Sequence, residues 1–299
     1  MMGPCDASSL EASLRPPDRR GQVSVSGGRR LGVAAWGAED APIVVFLHGA
    51  GMSGRLGFGV DRLSAHGVQL IAVDRPGVGQ SDHDPGKTLT TVAADIDAAL
   101  STLDRPVLGA VGFSMGAPFA LALLAAGIVP SLALVAPQDD LAHPDVRPHV
   151  SEDVGNLVDA VAEDPDRFED TFAAMIDAAE MRALILETSS PEDRSVYEHP
   201  VFATALSEAL DDGFRNGSAG YARDLRVALS PWPMDFGAMD RPVTIWCGAY
   251  DTSPVHSPDC GETLAARCPN GRVRLVVDGG SALLWTHSDD ILADLLAQR

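Results

Sequence analysis

A serine set between two glycines is the feature of this sequence that best fits catalysis. Ser114 lies in the segment Gly112-Phe113-Ser114-Met115-Gly116, directly after an apolar run and before a segment rich in Ala and Leu. A sharp turn from a strand into a helix would lift the serine hydroxyl off a sheet, and the glycines would let neighbouring backbone approach closely. The helix N-terminus would also stabilise negative charge beside this hydroxyl. The motif predicts a nucleophilic Ser114, with a structural glycine-rich turn as the alternative.

A second glycine-rich segment, His48-Gly49-Ala50-Gly51, ends an earlier apolar run. Loops of this kind supply backbone N–H groups to the oxyanion of an acyl-transfer intermediate. We therefore predict an oxyanion hole formed by the N–H groups of Ala50 and Met115. His48 is interpreted as structural, because such loops use backbone donors.

The elements that must position these residues alternate between two patterns. Short apolar runs, typical of strands buried on both faces, alternate with segments of helical period. This alternation predicts an α/β fold with a mostly parallel sheet of about eight strands, helices on both faces and antiparallel entry near the N-terminus. The predicted strands are Gln22–Ser26, Arg30–Trp36, Pro42–Leu47, Val68–Val73, Pro106–Val111, Leu132–Val135, Pro242–Trp246 and Val273–Val277.

The alternation is interrupted once, in an acidic and helical stretch. Residues 138–235 contain no strand-like run and are predicted to form a helical cap over one end of the sheet. The core is assigned to residues 21–137 and 236–299. Residues 1–20 are interpreted as a mobile leader, because they contain few large apolar side chains.

Four motifs together resemble the α/β-hydrolase superfamily, in particular its bacterial members with a helical cap. They are His48-Gly49, the run DRPGVGQS over residues 74–81, the Ser114 motif, and Gly248-Ala249-Tyr250-Asp251. The resemblance implies an α/β-hydrolase fold and a catalytic order of nucleophile, acid and histidine. It implies that Asp251 is the acid, which would orient an imidazole and stabilise its cation. The alternative is an aspartate whose side chain only accepts hydrogen bonds from the backbone of its own turn.

The histidine of this order is not where the resemblance implies it. Ser281 follows Gly279-Gly280 after the last predicted strand, and a serine hydroxyl cannot act as a base near neutral pH. Three explanations stay open: His287 replaces the missing base through a rearranged loop, the chain is a natural variant with different or no chemistry, or the histidine was replaced to trap a complex. His256 is interpreted as exposed to solvent or in contact with the cap.

The predicted substrate is a small, largely apolar acyl compound. Apolar side chains of the cap, with Phe113 and Met115, would line a pocket, and we predict that Gly51, Phe113 and Trp232 bind the substrate. The predicted function is hydrolysis of an ester, lactone or thioester through Ser114. The alternative is a hydrolase-fold protein with a degenerate triad that binds, cyclises or rearranges a metabolite without hydrolysis.

Composition limits the other possibilities. The 299 residues carry a formal charge of −20, which disfavours nucleic-acid binding, and Lys87 is the only lysine. The four cysteines show no disulfide framework or zinc spacing, and no dinucleotide motif follows the first buried strand. We therefore expect no metal, no cofactor and no membrane segment, and we expect a cytoplasmic bacterial protein. The sequence gives no prediction of oligomeric state.

Overall fold

The computed structural model describes residues 7–298, and its centre is one sheet of eight strands. Four of the central strands are buried along their whole length, in agreement with their largely apolar composition. The strands are β1 (Arg19–Ser24), β2 (Arg30–Trp36), β3 (Ile43–Leu47), β4 (Gln69–Val73), β5 (Val107–Phe113), β6 (Leu132–Val135), β7 (Val243–Gly248) and β8 (Gly271–Val276).

The strand order is β1-β2-β4-β3-β5-β6-β7-β8. The hairpin of β1 and β2 pairs antiparallel, and β2 pairs antiparallel with β4, whereas every later pair is parallel. The predicted fold class, a mostly parallel α/β-hydrolase sheet, is confirmed. Because parallel strands end at the same edge, the loops after β3, β5, β6 and β7 meet there.

Helices pack on both faces of this sheet, as predicted. The longest one in the core, α3, begins with a capping box between Thr88 and Thr91. The helices are α1 (Ala7–Ser13), α2 (Leu63–His66), α3 (Leu89–Ser101), α4 (Gly116–Ala125), α5 (Glu152–Glu163), α6 (Pro165–Met175), α7 (Ala178–Glu187), α8 (Pro191–Tyr197), α9 (Pro200–Gly213), α10 (Ala219–Leu229), α11 (Glu262–Arg267), α12 (Leu283–Thr286) and α13 (Ser288–Leu296).

The N-terminal segment is more ordered than predicted. Residues 7–13 form α1, Leu10 and Leu14 are buried in the core, and β1 begins at Arg19. The prediction of a mobile leader is therefore wrong for residues 7–20, because Leu10 and Leu14 pack into the core and β1 begins within this segment. Residues 1–6 of that leader lie outside the described residues.

Six helices, α5 to α10, lie between β6 and β7, where the sequence predicts the cap. Residues 138–235, all of them described, contain no strand. Side chains of five of these helices line the cavity beside the carboxyl ends of the strands. The exact division into core and cap stays a prediction. No helix within residues 7–298 combines the length and the apolar character that a membrane crossing requires.

Candidate active site

Ser114 lies on a strained turn between β5 and α4. Its φ of 49° is in the left-handed region, which a residue with a side chain adopts only where the surrounding structure enforces it. A Cβ at Gly112 would lie 2.8 Å from the Cβ of Ala120, and a Cβ at Gly116 would overlap the carbonyl oxygen of Leu47. The two glycines are therefore required by close packing, and the turn presents Ser114 Oγ at the edge of the sheet.

Two side chains from the loop after β7 complete a hydrogen-bonded chain that ends on this serine. His256 Nε2 lies 2.9 Å from Ser114 Oγ, and His256 Nδ1 lies 2.7 Å from Asp251 Oδ2. The other carboxylate oxygen of Asp251 accepts a hydrogen bond from the Ser253 N–H at 3.0 Å. With Nδ1–H donating to the carboxylate, Nε2 is the acceptor for the serine hydroxyl. The interpretation of His256 as exposed to solvent is wrong, because its imidazole is buried between Asp251 and Ser114.

The loop that carries His256 is fixed to the chain that leaves β6. Gln138 and His256 form an isolated antiparallel bridge, and the Ser257 N–H donates to the Pro137 carbonyl at 2.9 Å. Ser257 Oγ also donates to Asp139 Oδ2 at 2.6 Å. Asp139 is fully buried, and this burial raises the pKa of its carboxyl group. These contacts give His256 a rigid support away from the last strand.

The predicted oxyanion donors lie beside the nucleophile. Ala50 and Met115 both line the cavity that contains Ser114 Oγ. Within residues 7–298, neither of their N–H groups donates a hydrogen bond to another protein group. Gly49, which precedes Ala50, packs so closely that a Cβ there would lie 3.0 Å from the ring of Phe113. Both donors are therefore available to a bound substrate, and their role in binding an oxyanion stays a prediction.

Comparison with known sequences matches residues 42–288 to the alpha/beta hydrolase fold. The chain belongs to this family. One curated relative is the BpoC protein of Mycobacterium tuberculosis, which is named as a non-heme bromoperoxidase. It is 37% identical over 97 residues, which are 31% of this chain and 37% of the relative. The chain thus aligns with little more than a third of that relative's length.

Solved structures of the family share the fold over nearly the whole chain. An enol-lactonase from Burkholderia xenovorans LB400 superposes with a TM-score of 0.66 at 17% identity, covering 93% of this chain and 100% of that one. An esterase from Exiguobacterium antarcticum superposes with a TM-score of 0.58 at 18% identity, covering 92% and 97%. These likenesses establish the fold alone.

His287, the predicted replacement for the family's histidine, lies away from Ser114. His287 Nδ1 is 2.9 Å from Thr286 Oγ1, and His287 does not line the cavity that contains Ser114. The structure therefore contradicts His287 as the base, because it precedes α13 and its imidazole does not contact Ser114. No rearrangement of residues 281–286 is needed, since His256 already contacts the serine.

Ser281, at the position that the family resemblance assigned to histidine, is part of the cavity wall. Its hydroxyl lies 3.0 Å from the Tyr197 hydroxyl, and its backbone N–H donates to Asp193 Oδ2 at 2.8 Å. Burial raises the pKa of Tyr197, and the nearby Asp193 carboxylate raises it further, so the phenol is neutral. A hydroxyl pair thus links α8 to the loop where the family's imidazole is expected.

The cavity above Ser114 has a volume of about 340 Å³ and is mostly apolar. Phe113 lines it as predicted, and its ring packs edge-on against Trp285 at 4.9 Å. The structure contradicts substrate contacts from two predicted residues. Gly51 faces α9, where a Cβ would lie 2.7 Å from the Phe214 ring, and Trp232 stacks on Phe236 outside the cavity. The apolar lining residues from the helices between β6 and β7 are Val154, Leu157, Phe172, Met181, Leu184, Ile185 and Leu225.

The described residues offer no evident metal site. Across positions 7–298, no three His, Cys, Asp or Glu side chains converge as ligands would. Three described cysteines, Cys247, Cys260 and Cys268, are free thiols, and burial raises the pKa of Cys247 and of Cys268, the latter to about 11. Cys5 lies outside the described residues. The absence of a metal and a cofactor stays a prediction.

Proposed function

We propose that this protein is a serine hydrolase that cleaves an ester, lactone or thioester of a largely apolar small molecule. The observation that carries the proposal is the chain of contacts from Ser114 through His256 to Asp251, at 2.9 and 2.7 Å. Nucleophile, base and orienting acid at hydrogen-bond distance are the arrangement that acyl transfer by serine requires. The esterase and the enol-lactonase among the structural neighbours agree with this reaction class.

In the proposed mechanism, Ser114 Oγ attacks the substrate carbonyl while its proton passes to His256 Nε2. Asp251 stabilises the resulting imidazolium and keeps its orientation. The carbonyl oxygen becomes an oxyanion between the N–H groups of Ala50 and Met115, and loss of one such donor typically costs about 3 kcal/mol. The imidazolium then protonates the leaving alcohol or thiol, and the acyl group stays on Ser114. A water molecule, deprotonated by His256, releases the acid.

The contact of His256 with the serine supports a complete triad over a degenerate one. That alternative rested on Ser281 standing where an imidazole was expected. An imidazole from the β7 loop supplies the same chemistry, and the apolar cavity favours an uncharged acyl group over a charged one. The acyl class, an uncharged and hydrophobic one, is therefore part of the proposal.

The test is hydrolysis of p-nitrophenyl acetate and p-nitrophenyl octanoate by the parent and by Ser114→Ala. We expect Ser114-dependent hydrolysis with a higher kcat/KM for octanoate, and a loss of at least about a thousandfold in the variant. Ser131→Ala is the matched control, because Ser131 is also buried but precedes β6 at the opposite edge of the sheet. Full activity of Ser114→Ala, or no turnover of either ester by the parent, would contradict the proposal.

A further inference from the structure

Three buried charged side chains lie behind the predicted oxyanion loop. Arg75 follows β4, Lys87 precedes α3, and Asp224 belongs to α10. Asp224 Oδ2 accepts from Arg75 Nε at 2.7 Å, and Asp224 Oδ1 accepts from Lys87 Nζ at 2.6 Å. Arg75 and Asp224 are completely buried, and Lys87 is nearly so. A buried ion pair often adds little net stability even when it is fully hydrogen-bonded, so a role other than stability has to be sought for this cluster.

The guanidinium of Arg75 is directed at the backbone of the oxyanion loop. Arg75 Nη1 donates to the His48 carbonyl at 2.6 Å, and Nη2 donates to the Gly49 carbonyl at 3.1 Å. His48 Nδ1 lies 3.1 Å from the same Gly49 carbonyl. Burial and the Arg75 charge hold the pKa of His48 well below its usual value, so the ring is neutral and Nδ1–H donates. The Gly49 carbonyl therefore accepts from two side chains.

The peptide unit that these donors contact is the one that carries the Ala50 N–H. The carbonyl of Gly49 and the N–H of Ala50 belong to the same planar group, and in a trans peptide they point in opposite directions. Fixing the carbonyl toward Arg75 thus directs the N–H away from it, and Ala50 lines the cavity beside Ser114. A charged donor on the carbonyl also polarises the peptide and strengthens its N–H as a donor.

We propose that Arg75 is a positioning residue of the oxyanion hole and that Asp224 couples it to α10. This inference rests on the proposed function, because it assigns a support to the predicted Ala50 donor. Arg75 also lies over the ring of Phe119 in α4, with its Cζ 4.9 Å from the ring centre. One guanidinium therefore connects the oxyanion loop, the helix after the nucleophile, and a helix from the segment between β6 and β7. A lysine cannot replace it, because a single ammonium cannot span both carbonyls and the carboxylate.

The experiment compares the parent with Arg75→Lys and Arg75→Met. We expect kcat for p-nitrophenyl octanoate to fall about tenfold to a thousandfold, with KM changed less than about threefold, because the loss acts on the oxyanion. Arg29→Met is the matched control. Its guanidinium also pairs at two points with a buried carboxylate, Asp95, at 2.6 and 2.8 Å, and it does not line the cavity.

A second readout separates an oxyanion effect from a general loss of structure. A trifluoromethyl ketone analogue of the substrate forms a tetrahedral adduct: Ser114 Oγ bonds to the carbonyl carbon, its proton goes to His256, and the carbonyl oxygen becomes the oxyanion. The matching methyl ketone binds mostly without this adduct. We expect the inhibition constant of the trifluoromethyl ketone to rise by the same factor as kcat/KM falls, with the methyl ketone unchanged within about threefold.

Each outcome decides the inference. Variants with parent-like kcat, or with lower kcat and unchanged trifluoromethyl ketone affinity, would overturn it. If neither Arg75 variant unfolds cooperatively, Asp224→Asn carries the test. This substitution removes the carboxylate that holds Arg75 but leaves Arg75 itself in place, so we expect the same joint loss of kcat and of trifluoromethyl ketone affinity. A parent without Ser114-dependent turnover would instead refute the proposed function, and the inference with it. If the parent shows Ser114-dependent turnover, the role of Arg75 is decided by the variants alone.

Discussion

The hydrogen bond from Ser257 to Asp139 should be needed to hold the base in place. Ser257→Ala removes a 2.6 Å bond to a buried carboxylate, and such charge-assisted bonds contribute about 1.5–3 kcal/mol. The Gly261 N–H, which donates to Ser257 Oγ at 2.8 Å, keeps a second acceptor in Asp259 Oδ1 at 3.1 Å. We therefore expect a loss of about 2 kcal/mol in the free energy of unfolding.

The same substitution should also slow catalysis, since Ser257 adjoins His256. A misplacement of a reacting group by about 1 Å costs roughly a hundredfold in rate, so we expect kcat/KM for an activated ester to fall between about tenfold and a hundredfold. The assay is an initial-rate series at pH 8 beside urea unfolding of the same samples. Ser131→Ala is again the control, because it loses a buried bond to the Leu108 carbonyl without touching the base.

Two results would contradict this role of the hydrogen bond between Ser257 and Asp139. If Ser257→Ala lost stability but kept kcat/KM within about twofold, the bond to Asp139 would support the fold and not the base. If Ser131→Ala lost activity to the same degree, the loss would reflect general destabilisation. Only a loss in kcat/KM specific to Ser257→Ala agrees with a loop that positions His256.

Two further predictions concern the position of the usual imidazole and the oxyanion loop. Ser281→His should give no gain in esterase activity, because His256 already contacts the nucleophile and a larger side chain must displace the Tyr197 hydroxyl; a tenfold gain in kcat/KM would contradict the assignment of the base. The pKa of His48 is depressed from 6.5 in the folded state, so its stabilising contribution is present above pH 6.5 and is lost as pH falls below that value. Between pH 7.5 and 5.5 this group alone should lower the free energy of unfolding, and His48→Asn should lack that component in urea titrations at the two pH values; an equal decrease in parent and variant would show that the imidazole is not neutral in the folded state.

The fold and half of the site follow from local sequence signals. Apolar runs predicted the buried central strands to within a few residues, because a strand buried on both faces requires an apolar composition. The hairpin of β1 and β2 was predicted instead from the pattern around Gly27-Gly28. The glycines around Ser114 predicted the turn, since close packing excludes a Cβ at both. The prediction failed at residues 7–20, where Leu10 and Leu14 pack against the core, a tertiary contact that a short sequence window does not reveal.

The base was missed because its position depends on a contact between distant segments. The family resemblance implies a base in the turn after β8, where this chain has Ser281. His256 follows Asp251 by five residues in one loop, and this spacing was the available signal. It becomes decisive only with the bridge to Gln138, which brings the loop over Ser114. Gly51 and Trp232 are predicted to contact the substrate, but both pack against other residues of the protein, and a sequence pattern does not distinguish these two environments.

The assignment of His256 as the base is tested most directly by the reactivity of Ser114 itself. A fluorophosphonate phosphonylates an activated serine with loss of fluoride, and peptide mapping identifies the modified residue. We expect labelling at Ser114 in the parent, a second-order rate at least about a hundredfold lower in His256→Ala, and a rate within about twofold of the parent in His287→Ala. Rapid labelling of His256→Ala together with loss of labelling in His287→Ala would contradict the account.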